Sequence, residues 1–107
     1  MLTASKVNAE ISLSAVPVLK GAAECIQAGL ISSIHPENLR FRHSLQNPDQ
    51  PPPILFDPQT AGGLLAGIPA PHAEPCLAEL RKLGYASARL IGQIAPTQGL
   101  PQISVTR

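Results

Sequence analysis

The 107-residue sequence has no tryptophan, and its aromatic residues are only Phe41, Phe56 and Tyr85. An interior built from it must rest on Leu, Ile, Val and Ala, and it offers no aromatic platform on which bases could stack. No basic run extends beyond the Arg81-Lys82 pair, and the formal net charge is +1. Neutralising nucleic-acid phosphate takes a denser positive surface, so nucleic acid is not an expected partner. No apolar stretch approaches the roughly 20 residues that span a bilayer, and residues 1–11 lack the basic-then-apolar layout of a secretory signal. No membrane partner and a cytoplasmic location are the expectation. The two cysteines, Cys25 and Cys76, stand far apart and outside any CxxC or Cys/His arrangement. They read as free thiols on helices, the alternative being one reactive thiol with a depressed pKa. His35, His43 and His72 show no ligand spacing, so each is expected at the surface and no metal site is expected.

What is present suits one domain covering residues 1–107. From Val7 to Leu13 apolar and polar residues alternate, the period of a half-buried strand. Pro17 then opens a helical stretch in which Val18, Leu19, Ala22, Cys25 and Ile26 recur at three- and four-residue spacing, with Gly29 placed to cap it. Gly21 inside its first turns weakens that helix or allows close packing. Periodicity fades from Ile31 to Pro53, and residues 40–53 read as a proline-rich loop ending in Pro51-Pro52-Pro53. Ile54 to Phe56 is expected as a short strand, Asp57-Pro58-Gln59-Thr60 as a turn, and Gly62 to Ile68 as an apolar strand buried on both faces. A second helix follows, with Ala73, Leu77, Leu80 and Leu83 as its apolar stripe and Gly84 as its stop, provided that Pro75 falls in the first turn. Leu90–Ala95 and Ile103–Val105 complete the set as strands. The order predicts an α+β domain, a mixed sheet with helices packed on it.

The most distinctive run is Leu55-Phe56-Asp57-Pro58-Gln59-Thr60-Ala61-Gly62-Gly63-Leu64-Leu65. Asp57 can close a turn onto its own backbone, Pro58 fixes φ, and paired glycines permit close approach of backbone or ligand. Two readings fit. One is the rim of a phosphate or nucleotide site, with Gly62 and Gly63 amides and the Thr60 hydroxyl as donors, Gln59 alongside, and Asp57 as a cation contact. The other is a tight hairpin with a glycine bulge. Asn38, in Ser33-Ile34-His35-Pro36-Glu37-Asn38, reads on its residue type as a turn-stabilising Asn.

This run resembles the LFDPQTSGGLL signature of the selenophosphate synthetases (selenide, water dikinases), with Ala61 where that family usually has Ser. Two further stretches agree in order and spacing: Ile11 to Gly21, with Val16-Pro17-Val18-Leu19 leading into the helix, and Leu83-Gly84-Tyr85 followed by Ile91-Gly92 and Ile94. The resemblance thus covers nearly the whole chain, and it sets Asn38 in a loop where that family also holds an Asn, which implies the alternative that Asn38 orients a neighbouring loop or reaches the cleft. It implies a C-terminal domain of partial ferredoxin-like topology, shared with aminoimidazole ribonucleotide synthetases, in an enzyme that converts selenide, ATP and water to selenophosphate, AMP and phosphate. ATP and magnesium are the implied cofactors of the full-length enzyme, which the family makes as a homodimer, and none is expected for this segment alone.

The family's nucleophilic Cys or selenocysteine, its glycine-rich segment with Lys, its magnesium-binding aspartates and its DVTGFGL motif have no counterpart in these residues. The expectation is a domain that closes one side of an ATP cleft, is inactive alone, contributes no catalytic residue itself, and partners a missing N-terminal catalytic half. The alternatives are a non-catalytic ferredoxin-like binding or interaction module, and a related superfamily kinase or synthetase with another substrate.

Overall fold

Alternation from Val7 onward produces the strand it predicts. In the computed structural model, which describes residues 2–107, Val7–Ser12 forms β1, preceded by one helical turn, α1 (Leu2–Ser5). β1 is the centre of a three-stranded mixed sheet. On one side it pairs antiparallel with β2 (Gly92–Pro96), Ala9 opposite Ile94 and Ile11 opposite Gly92. On the other it pairs parallel with β3 (Ile103–Thr106), Ala9 beside Ile103 and Ile11 beside Val105. Asn8 ties the two ends of the chain together, its Oδ1 accepting the Gln102 amide at 3.0 Å. The long connection from β1 to β2 carries the helices that pack on the sheet, so the domain is α+β with a partial ferredoxin-like arrangement.

Both expected helix stops are Schellman caps. Gly29, at φ 76°, follows α2 (Ala22–Gln27), and its amide donates to Ile26 while Leu30 donates to Cys25 at 2.8 Å. Gly84, at φ 95°, follows α4 (Ala70–Lys82), its amide donating to Arg81 and that of Tyr85 to Leu80, both at 3.0 Å. In each case left-handed backbone returns the chain onto the last orphan carbonyls, and glycine adopts it without steric cost.

Helix starts depart from expectation. α2 begins at Ala22 and not at Pro17, because Gly21 takes φ 88° and ends the preceding turn. A Cβ there would meet nothing within 4 Å, so its smallness serves conformation and not packing. α4 begins at Ala70, which puts Pro75 beyond the first turn. The amide Pro75 lacks would have bonded to the Pro71 carbonyl, and both residues are exposed, so water takes that place. Pro75→Ala is expected to raise stability by about 1–2 kcal/mol, the restored helical bond outweighing the extra freedom of the unfolded chain. Thermal denaturation checks it.

The 31–53 segment is shorter on loop than it reads. His35–Asn38 forms a helical turn, α3, and Leu39–Ser44 continues it as 3-10 helix. Leu45 then makes a parallel bridge to Ile103, with the Gln46 amide donating to the Ile103 carbonyl at 2.9 Å. The expected strand at Ile54–Phe56 is instead 3-10 helix over Pro53–Phe56: prolines fix φ, and the Leu55 amide closes onto the Pro52 carbonyl at 3.1 Å. Among the described residues Leu45, Phe56 and Leu77, with His35, are the buried ones. His35 was expected at the surface and is only 5 % exposed.

Gly62–Ile68 forms no strand. It joins no sheet among the described residues, and Leu64, expected to be buried, is 98 % exposed. Gly67 lies against the outer side of β2, its Cβ direction 3.1 Å from Ile94 Cδ1, but three glycines in seven residues weigh against pairing when no second layer covers the strand. Leu83, assigned to the apolar stripe of α4, is likewise exposed.

The accessible surface is 8359 Å², against roughly 5,700 Å² for a compact monomer of this mass. The radius of gyration, 14.9 Å, also exceeds the ~13 Å of a compact chain this long. Among the described residues no helix is long and apolar enough to cross a membrane.

Candidate functional site

The Asp57–Gly63 turn leaves the 3-10 helix through extended backbone at Asp57, whose side chain is half-buried. Gln59 folds back, its Nε2 donating to Asp57 Oδ2 at 2.5 Å. That bond holds the carboxylate against the turn and leaves its other oxygen to accept from elsewhere. Gly62 packs against Gln59: a Cβ there would stand 3.2 Å from Gln59 Cβ. Gly63 faces open space, with nothing within 4 Å of its Cβ direction. Neither glycine takes left-handed backbone, so the glycine-bulged hairpin is not formed. Thr60 and Ala61 form a turn that brings the Gly62 amide back toward Gln59, while the amides of Gln59, Thr60, Ala61 and Gly63 donate to no backbone group among the described residues, and Gln59, Thr60, Gly62 and Gly63 are all exposed. The turn offers several exposed amide donors and one anchored carboxylate, a combination that suits an anion only with a cation bridging it to Asp57.

Asn38 is brought to this turn. Its Nδ2 donates to the Phe56 carbonyl at 3.1 Å across 18 residues of sequence, in a partly buried setting. With Phe56 buried beneath it, this bond fixes the residue from which the turn departs. Asn38→Ala is expected to cost about 1 kcal/mol, and Asn38→Asp more, because a carboxylate cannot donate to a carbonyl. Urea denaturation of the two variants checks the order.

His35 is the residue that sequence reasoning missed. It begins α3 one turn before Asn38, so the two share a helix face, and its Nδ1 is buried with no hydrogen-bond partner. The i,i+3 spacing of His35 and Asn38 across Pro36 was the available signal. His43 and His72 are exposed as expected. Cys25 is exposed on α2 and Cys76 half-buried on α4, both free.

Among the described residues no three His, Cys, Asp or Glu side chains gather into a candidate metal site. Two recesses of the surface, one beside α4 and one over the β1–β2 pair, are lined by no residue of the turn. The exposed turn is suited to form one wall of a site completed by another surface.

Over 107 aligned residues the chain is 33 % identical to the selenide, water dikinase of Clostridioides difficile, covering 90 % of this chain and 29 % of that protein. It is 34 % identical to the selenide, water dikinase of Citrifermentans bemidjiense over 98 % of this chain and 31 % of that protein. It is 31 % identical to selenide, water dikinase 2 of Peptoclostridium acidaminophilum over 88 % of this chain and 28 % of that protein. The chain thus spans about 30 % of the length of these curated relatives. No family model matches it, and no solved structure matches it.

Proposed function

Since the chain is related along nearly its whole length to the selenide, water dikinases, we propose that it serves as the C-terminal domain of an ATP-dependent selenophosphate synthetase, closing one side of the ATP cleft with the Asp57–Gly63 turn. The observation that carries this is the set of exposed amides at Gln59, Thr60, Ala61 and Gly63 beside Asp57, in a turn tethered through Phe56 to Asn38. Free amides and the Thr60 hydroxyl suit the oxygens of a polyphosphate. Asp57 is the one carboxylate of the turn, and Gln59 already occupies part of it. It could supply one contact to a magnesium ion whose remaining ligands come from elsewhere in the larger enzyme.

The nucleophile and the other ligands would reside in the 70 % or so of a selenide, water dikinase that this chain does not match. The excess accessible surface and exposed aliphatic residues such as Leu19, Leu64 and Leu100 support a companion surface that covers this domain.

The test is an exchange. Placed in the Clostridioides difficile enzyme in place of the segment it matches, this chain is expected to support AMP formation from ATP that depends on selenide, while the isolated 107 residues form none. An exchange protein that folds but forms no AMP favours a binding module without phosphoryl chemistry.

A further inference from the structure

A recess of about 670 Å³ lies between the turn that follows β1, one face of α4 and the segment entering β2, and neither the Asp57–Gly63 turn nor Asn38 lines it. Glu74, Leu77 and Arg81 reach it from α4 at positions i, i+3 and i+7, hence from one helix face. Leu77 is among the most buried residues of the domain and gives the recess an apolar base. Ser14, Ser87 and Arg89 add polar groups from the two flanking segments.

The segment after α4 is braced so that Arg81 and Arg89 come to the same space. Beyond the Gly84 cap, the Ala86 amide donates to Gly84 at 2.9 Å and the Ala88 amide to Tyr85 at 3.0 Å. Arg81 itself donates through one Nη2 to the Ala88 carbonyl at 3.4 Å, leaving most of its N–H donors unused by that bond. The one ion pair among the described residues is Lys82 with Glu79, so neither Arg81 nor Arg89 has a carboxylate within 4.0 Å. Two guanidinium groups and one carboxylate, Glu74, leave the lining positive.

We propose that this recess binds a small molecule through a phosphoryl group held by Arg81 and Arg89, with the Ser14 and Ser87 hydroxyls as further donors. Donors arriving from three separate segments match the tetrahedral oxygens of a phosphoryl group better than a planar carboxylate, and arginine forks bind such oxygens in pairs. The recess is open and its exposed lining is mostly polar, which suits an anion more than an apolar ligand, and its volume leaves room for more than the phosphoryl group itself. This site is separate from the proposed ATP wall and stands whether or not that assignment does.

The experiment is a titration of the ¹⁵N-labelled 107-residue chain with pyrophosphate at constant ionic strength, following the arginine Nε–Hε signals. Saturable shifts are expected at Arg81 and Arg89 and at the amides of residues 87–90, with Arg40, Arg42 and Arg107 unmoved. Amides 59–63 report on the other site independently. Arg89→Ala should weaken the saturable response by about 10-fold or more and Arg89→Lys by less, since lysine keeps the charge and loses the fork. An unchanged backbone spectrum elsewhere shows that the variants fold. Shifts that grow without saturation, that spread over all arginines, or that survive Arg89→Ala overturn the proposal, as does an equal response to citrate.

Discussion

Replacing Gly92 by alanine is expected to cost more than about 3 kcal/mol, because overpacking against backbone exceeds the range that side-chain shifts absorb. A Cβ at Gly92 would overlap the Glu10 carbonyl oxygen and stand 3.0 Å from its carbon and 3.1 Å from Ile11 Cα. All three atoms are backbone of β1, so no rotamer change relieves the clash. β2 would have to lift from the central strand and give up the register that aligns Val7 with Pro96 through Ile11 with Gly92. The melting temperature should fall by more than about 10 °C for a domain of this size. Gly63→Ala is the control: its Cβ meets nothing within 4 Å, and stability should change by less than about 0.5 kcal/mol. A Gly92→Ala protein that melts within a degree or two of the parent would mean that β1 and β2 do not pair as described.

The same glycine shows how much of the fold was legible. Ile91-Gly92 belongs to the family resemblance, and the close approach to Glu10 supplies its physical reason. β1, β2 and β3 were readable because period-two alternation and bracketing turns are local signals. Gly29 and Gly84 were readable because a Schellman cap is written in a single residue. What failed depended on nonlocal information. Gly62–Ile68 has a strand's hydrophobicity, but a strand needs a ladder and a covering layer, and sequence cannot say that both are absent here. Pro17 looked like a helix start because prolines favour first turns, yet left-handed Gly21 cut the helix back to Ala22. His35 looked like a surface residue because histidines in proline-bounded loops usually are, and its burial beside Asn38 follows from how α3 packs.

The site was legible in composition and not in shape. Asp57, Gln59, Thr60, Gly62 and Gly63 are contiguous, so any fold keeps them together. That Asn38 joins them could be suspected only from the resemblance, since its bond to Phe56 spans a segment with no periodicity. The bond between Gln59 and Asp57 was not anticipated, and it changes the chemistry of the turn: the carboxylate is held in place by a donor from its own loop.

The most direct test of the account is the effect of Asp57→Asn with Thr60→Val on the exchange protein that carries this chain within the Clostridioides difficile enzyme. Both substitutions preserve shape while removing one charge and one hydroxyl. If the turn is a wall of the ATP site, kcat/KM for ATP in selenide-dependent AMP formation should fall by about 100-fold, the loss expected for two polar contacts of which one is charged, with the melting temperature unchanged. If the variant folds and its kcat/KM equals that of the unsubstituted exchange protein, the turn is structural and the assignment of the nucleotide wall to Asp57–Gly63 is wrong.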